Sequence, residues 1–501
     1  VNAQALAAAG GDDLARARSL VAEAGGPALL ERLDALEAAR ALGPRAPDVA
    51  RPVDAGEALD ADVILAGGGL SLLLAPALAR LGARVVVVDR HRAGEAHREW
   101  NASAAELRPL IAEGLVDEAT LDALVVARYR HGVCRWHGGG SYPVNGVLDH
   151  AVDAGPLLRR VRAVAEARGV RVLDHHAIVA EHGGPHGVRV RLKGPSGPTE
   201  LSARLLVDAR GASSPYASAD LLCPTVGGVL EGLTNGDAPD ELDPTVGDIL
   251  ATIDGVDEGR QHIWEGFPGR AGETTVYLFY YADRTRVAPG SLLALYARFF
   301  ATRPRYKRGD ARLVRPTFGY IPGWSRLTPA PAPTMPRIAL FGDVAARHSP
   351  LTYCGFGAML RSFRPSADRI AALLDAPAAT HARPLGPLLP DASIHGGTGA
   401  LSAMMSRPST DPRRAHDLNR LLDAAFSTLH TLGDGPYRAL LQDAMEPRAF
   451  LDFLLKTARI RPQVYRDVFA ILGVSPTLRW AARVFSASLS APAQAIAEPA
   501  A

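Results

Sequence analysis

Asp62-Val63-Ile64-Leu65-Ala66-Gly67-Gly68-Gly69-Leu70-Ser71-Leu72 is the stretch that decides how this chain reads. An apolar run that meets glycines is a buried strand entering a tight turn, and the apolar residues beyond it have helical character. A second apolar strand, residues 85–88, follows and ends at Asp89. Strand, glycine turn, helix and strand in this order predict a Rossmann-type unit. Gly67 permits the turn, Gly68 continues it, and Gly69 lets backbone N–H groups approach a pyrophosphate at the helix start. Asp89, with Arg90 beside it, stands 22 residues after Gly67, where an acid meets a ribose hydroxyl. Leu72 replaces the usual third glycine and Pro76 interrupts the helix, so packing there departs from the common pattern.

The rest of the composition narrows the class. At 501 residues the chain exceeds one ordinary core, and 47% hydrophobic with 22% charged residues fits a folded protein. A net charge of +2 points away from a nucleic-acid partner. The three cysteines, Cys134, Cys223 and Cys354, form no CxxC pair, which predicts a reducing compartment and no structural metal. Residues 1–10 lack a signal-peptide pattern. Residues 63–79 carry no charge but are broken by glycines and Pro76, so a buried strand–turn–helix is expected rather than a membrane span.

Five regions follow from the patterning. Residues 1–58 read as a helical extension containing a Pro/Gly linker at 43–47. A nucleotide-binding domain occupies 59–219, and a mixed β-sheet domain is inserted at 220–334. The nucleotide domain resumes at 335–383, and a helical region runs from 384 to 501. The fold class is α/β.

Two later segments specify the cofactor by resemblance. Leu205-Leu206-Val207-Asp208-Ala209-Arg210-Gly211 resembles a strand-and-turn motif of flavin hydroxylases and polyprenyl reductases. Ile338-Ala339-Leu340-Phe341-Gly342-Asp343, followed by Ser349-Pro350 and Gly355-Phe356-Gly357, resembles their second flavin motif. The resemblance implies FAD, with Asp343 on the ribityl chain and a helix N-terminus at the flavin ring, favouring a reduced, negatively charged flavin. NAD(P)H is a candidate reductant.

Further blocks sharpen this. His97-Arg98-Glu99-Trp100-Asn101, residues 349–361, Ile263-Trp264-Glu265-Gly266-Phe267-Pro268 and Thr275-Val276-Tyr277-Leu278-Phe279-Tyr280 resemble the lycopene cyclases of the CruA/CruP type. So do Leu432-Gly433-Asp434 and Leu441-Gln442-Asp443. The likeness spans about residues 60–485. It implies a redox-neutral cyclisation of a linear carotenoid end group, in which an acid protonates an alkene and a base removes a ring proton. Such an acid must stay protonated, which an apolar pocket achieves by raising its pKa.

Glu265, set among Trp264, Phe267, Tyr277, Phe279 and Tyr281, is the expected acid, and Asp283 is the nearest alternative. A salt-bridged Glu265 and a plain aromatic core are the competing readings. Arg98 is a candidate cofactor contact. His131, Cys134 and His137 lack metal-ligand spacing. A flavin oxidoreductase and a noncatalytic carotenoid-binding flavoprotein remain alternative functions. Lys456, Arg459, Arg461, Arg466, Arg479 and Arg483, interleaved with apolar residues, suggest peripheral attachment to the cytoplasmic membrane face. A helical cap with solvated arginines is the alternative there.

Overall fold

The computed structural model describes residues 11–42, 47–96, 99–217, 219–325, 335–345, 351, 355–377, 380, 384–389, 402–408 and 410–490. Arg98 and Pro350, and most of the 43–47 linker, lie outside these.

The strand Ala61–Ala66 is central to a nine-stranded sheet. It pairs in parallel with Val85–Val88 on one side and with the C-terminal half of Gly197–Asp208 on the other. Such a strand is covered on both faces, which explains its nearly unbroken apolar sequence. Val63, Leu65, Val85 and Val87 face the helices Leu74–Arg80, Ala154–Ala167 and Gly355–Asp375. Ile64, Ala66, Val86 and Val88 face a second core, shared with Val188, Val190 and Leu192. Residues 63–79 are therefore a strand, a turn and a buried helix. Among the described residues no single helix is long and apolar enough to cross a membrane.

Ile338–Leu340 pairs in parallel with residues 206–208, so the 335–345 segment returns to this sheet after the insertion. The inserted sheet has eight strands, with Ile263–Pro268 and Glu273–Phe279 antiparallel neighbours inside it. One boundary differs from the sequence expectation. The hairpin His131–Arg135 and Ser141–Val144 lies within 59–219, yet it extends the inserted sheet through parallel pairing with Val246–Ala251. The cluster His131, Cys134 and His137 reads as a loop in the sequence, because nothing local reveals a strand partner more than a hundred residues away. A third sheet, of three strands, holds Glu99–Ala102 against His150–Asp153.

The N-terminal helix Gly11–Leu42 breaks at Gly26, whose φ is 77°. Arg18 pairs with Asp34 across the break, so the segment is a helical hairpin. Ala17, Val21 and Leu33 bury themselves in the core of the inserted domain. Glu37 anchors the second arm: its carboxylate accepts from the Gly290 and Leu292 N–H groups and the Tyr320 hydroxyl, each at 2.7 Å. The C-terminal helices, from Asp417–Leu432 to Val474–Ser490, pack on another core that reaches Trp136, Phe279 and Tyr281.

Candidate functional site

The glycine turn is shaped by close approach. Gly67 has a φ of 117°, and a Cβ there would lie 2.5 Å from the Ala209 carbonyl oxygen, so only glycine fits. A Cβ on Gly68 would meet that of Ala93 at 2.4 Å. Gly69 differs, because a Cβ there would have nothing within 4 Å. It faces the open space of a cavity of about 970 Å³, near the top of the ~300–1,000 Å³ range of ligand sites.

The cavity gathers residues from every sheet. Gly68, Gly69, Asp89, Arg210, Gly211, Gly342, Asp343 and Gly355 border it at the nucleotide domain. Glu265, Phe267, Tyr277 and Phe279 border it at the inserted sheet, and Trp100 and Asn101 at the three-stranded sheet. Asp89 accepts from the Gly68 and His91 N–H groups, both at 2.7 Å, so its carboxylate holds the turn. Burial, with Arg90 and Arg32 nearby, lowers the His91 pKa.

Other expected cofactor residues sit differently. Arg90 is exposed and away from the cavity wall. Asp208 is fully buried and binds Arg210 and Ser214. It holds Arg210, which also pairs with Glu181 and borders the cavity. Gly357 accommodates Glu106 rather than the cavity: a Cβ there would lie 2.3 Å from Glu106 Oε1.

Three expectations about the substrate side are corrected. Neighbouring residues of a strand point to opposite faces, so Trp264 turns away from Glu265 and stacks on Tyr306, ring centroids 4.6 Å apart. Tyr281 lies beyond the strand end and outside the cavity wall, in the core shared by Phe279 and the C-terminal helices, and its hydroxyl donates to the Leu351 carbonyl. Asp283 sits outside the cavity in an ion pair with Arg407 at 3.1 Å.

Glu265 pairs across the sheet with Tyr277. The Phe267 and Tyr277 ring centroids lie 6.3 Å apart. Burial raises the Glu265 pKa to about 7, opposed by a hydrogen bond from Asn101 Nδ2 to Oε1 at 3.1 Å. Nothing in the sequence links these two residues, although Asn101 stands in the His97–Asn101 block. A smaller cavity of about 220 Å³ lies elsewhere, near His131, Arg135, Asp248 and Lys307. Its charged groups are largely consumed by the Arg135–Asp248 and Lys307–Asp248 pairs. Cys134 is buried, with its thiol pKa raised to about 12.

No family model matches the chain, and no curated protein matches it in sequence. Solved structures match its architecture. A geranylgeranyl bacteriochlorophyll reductase-like protein from Thermoplasma acidophilum is 14% identical, with a TM-score of 0.51, over 82% of this chain and 99% of that one. A variant of the halogenase PltM in complex with FAD is 12% identical, with a TM-score of 0.53, over 84% and 96%. The p-nitrophenol 4-monooxygenase PnpA from Pseudomonas putida is 14% identical, with a TM-score of 0.51, over 79% and 98%. The chain has the Rossmann-type fold of FAD-binding oxidoreductases. At these identities the likeness is one of fold, and FAD is the cofactor that accompanies it in a solved neighbour.

Proposed function

We propose that this chain is a FAD-dependent, lycopene cyclase-like enzyme that closes the end group of a linear carotenoid by acid–base chemistry without net redox change. The observation that carries the reading is the single cavity in which the glycine turn and the Gly342-Asp343 segment meet Glu265, a carboxyl whose pKa is raised to about 7. Gly68, Gly69, Gly211, Gly342 and Asp343 would hold FAD. At Gly355, the first residue of a 21-residue helix, unsatisfied N–H groups favour an anion. FAD, when bound and reduced, supplies an electron-rich ring beside the substrate.

The remaining chemistry belongs to the chain. Protonated Glu265 donates to a terminal alkene carbon, and the neighbouring double bond closes on the resulting cation. Phe267, Tyr277 and Phe279 offer aromatic faces to that cation, each worth ~1–2 kcal/mol in a desolvated site. Asn101 donates to the carboxylate that remains, which takes up the proton lost from the ring. One proton leaves Glu265 and one returns, so the product is an isomer of the substrate.

A flavin reductase or monooxygenase on the same fold is the second reading, favoured by the chemistry named for the fold neighbours. Expression in a lycopene-accumulating host separates them. A cyclised pigment keeps the substrate's mass, a reduced one gains hydrogens and a hydroxylated one gains oxygen. Unchanged lycopene with flavin-loaded protein would overturn the cyclase reading.

A hydrocarbon substrate dissolves in lipid, and the C-terminal helices suit a lipid surface. Among the described residues, eight of the eleven exposed large hydrophobic side chains lie between 455 and 489. On Val474–Ser490, Val474, Leu478, Phe485 and Leu489 form an outward stripe, while Trp480 and Val484 face the core. Arg459 and Arg479 are exposed beside them. This matches peripheral docking to an anionic membrane face.

A further inference from the structure

The N-terminal hairpin contributes to the cavity wall. Leu29 and Arg32, on its second arm, border the cavity with Gly69, Asp89 and His91. Arg32 lowers the His91 pKa, which places its charge near His91, two residues after Asp89. The hairpin is held by the inserted domain, through Leu33 in its core and Glu37 capping the helix Ser291–Tyr306. It therefore reaches from one domain to the nucleotide end of the other.

The charges around the cavity single out two arginines. Arg210 is committed to Asp208 and Glu181, and Arg92 lies 3.6 Å from Glu95. Arg32 and Arg159 also border the cavity, and among the described residues neither forms an ion pair. Both are exposed, so both guanidinium groups are available to an incoming anion. A dinucleotide brings a diphosphate with two negative charges, and guanidinium pairs with phosphate through two parallel hydrogen bonds.

We propose that the helical hairpin Gly11–Leu42 is a fixed cover over the diphosphate end of the cofactor cavity, with Arg32 and Arg159 the cations that pair with the diphosphate. The inference rests on the FAD reading above and adds a role for a segment whose sequence carries no recognisable motif. It also assigns the hairpin a reason to be anchored: Glu37 holds Arg32 at a fixed distance from the glycine turn. About one and a half helical turns separate Arg32 from Glu37, which keeps both on one rigid arm.

FAD affinity of the full-length apoprotein, measured by quenching of flavin fluorescence, tests this. Arg32→Ala changes an exposed side chain, so thermal melting should match wild type while FAD binding weakens about tenfold or more. Arg32→Lys should recover part of the loss, and Arg159→Ala should weaken binding similarly. Riboflavin lacks the diphosphate, and its affinity should be the same for wild type and Arg32→Ala. Trypsin cleavage after Arg32 should slow when FAD is added to wild type. If wild type binds FAD and both arginine variants bind it equally well, this inference falls while the cofactor reading stands. If folded wild type takes up no FAD, the cofactor reading falls first and this inference with it.

Discussion

Asn101 and Glu265, 164 residues apart, meet at 3.1 Å, with Asn101 Nδ2 donating to Glu265 Oε1. The contact joins the three-stranded sheet to the inserted eight-stranded sheet across the cavity wall. Its electrostatic sense is clear. An amide donor favours the carboxylate and burial favours the acid, and burial is the larger effect.

Glu265→Gln keeps shape and removes the acid. Ring formation in the pigment assay should fall at least ~100-fold, the lower end of general-acid contributions, with FAD uptake unchanged. Asp283→Asn, which disrupts the surface pairs with Arg407 and Arg286, should cyclise at close to the wild-type rate and cost about 1 kcal/mol of stability. Equal rates for wild type and Glu265→Gln would remove Glu265 as the donor.

The pH profile follows from the same group. A donor must be protonated, so kcat/KM should decline as pH rises through about 7. Asn101→Ala deletes the interaction that lowers this pKa, so the alkaline limb should move to higher pH. A limb that stays in place in the Asn101 variant would separate the profile from Glu265.

Stability carries a linked signature. The Glu265 pKa is about 7 in the folded chain against 4.5 for the ordinary group, so the folded state retains the proton longer. The penalty from Glu265 is absent below pH 4.5, grows as pH rises towards 7 and is complete above it. Glu265→Gln should therefore match wild type at acidic pH and exceed it by roughly 3 kcal/mol at alkaline pH. Urea denaturation at the two extremes reads this difference directly.

Gly67 and Gly69 should respond differently to substitution. Gly67→Ala forces a Cβ against the Ala209 carbonyl at a φ of 117°, and should cost about 1–3 kcal/mol in denaturant melts. Gly69→Leu meets no protein atom within 4 Å at its Cβ, so folding should survive while FAD uptake is lost. Flavin absorbance retained in folded Gly69→Leu would argue against this turn as the cofactor cradle.

Membrane docking is read by flotation with vesicles rich in phosphatidylserine. Wild type should float and the triple change Leu478→Asp, Phe485→Asp, Leu489→Asp should not, because it charges the outward stripe and spares Trp480 and Val484. Arg479→Glu should weaken flotation in low salt and have less effect in high salt. Equal flotation of wild type and the triple variant would exclude this face.

By itself the sequence determined the local units of this protein. An uninterrupted apolar run into glycines has few backbone solutions, and the steric limits at Gly67 and the strand–turn–helix around it are local, so they can be read within a dozen residues. The same holds for the strand at 338–340 and the helix after it. Tertiary structure alone decided which side chains share a space. Alternation separates Trp264 from Glu265 but cannot say which face borders the cavity. That depends on the helix Ser291–Tyr306, whose Tyr306 covers the Trp264 face. The pairing of residues 131–135 with 246–251, the Asn101–Glu265 contact and the placing of Arg32 on the same cavity as Gly69 all join segments far apart in sequence. Such contacts are set by how whole sheets and helices bury their apolar faces against one another, a sum over many residues that no short stretch encodes.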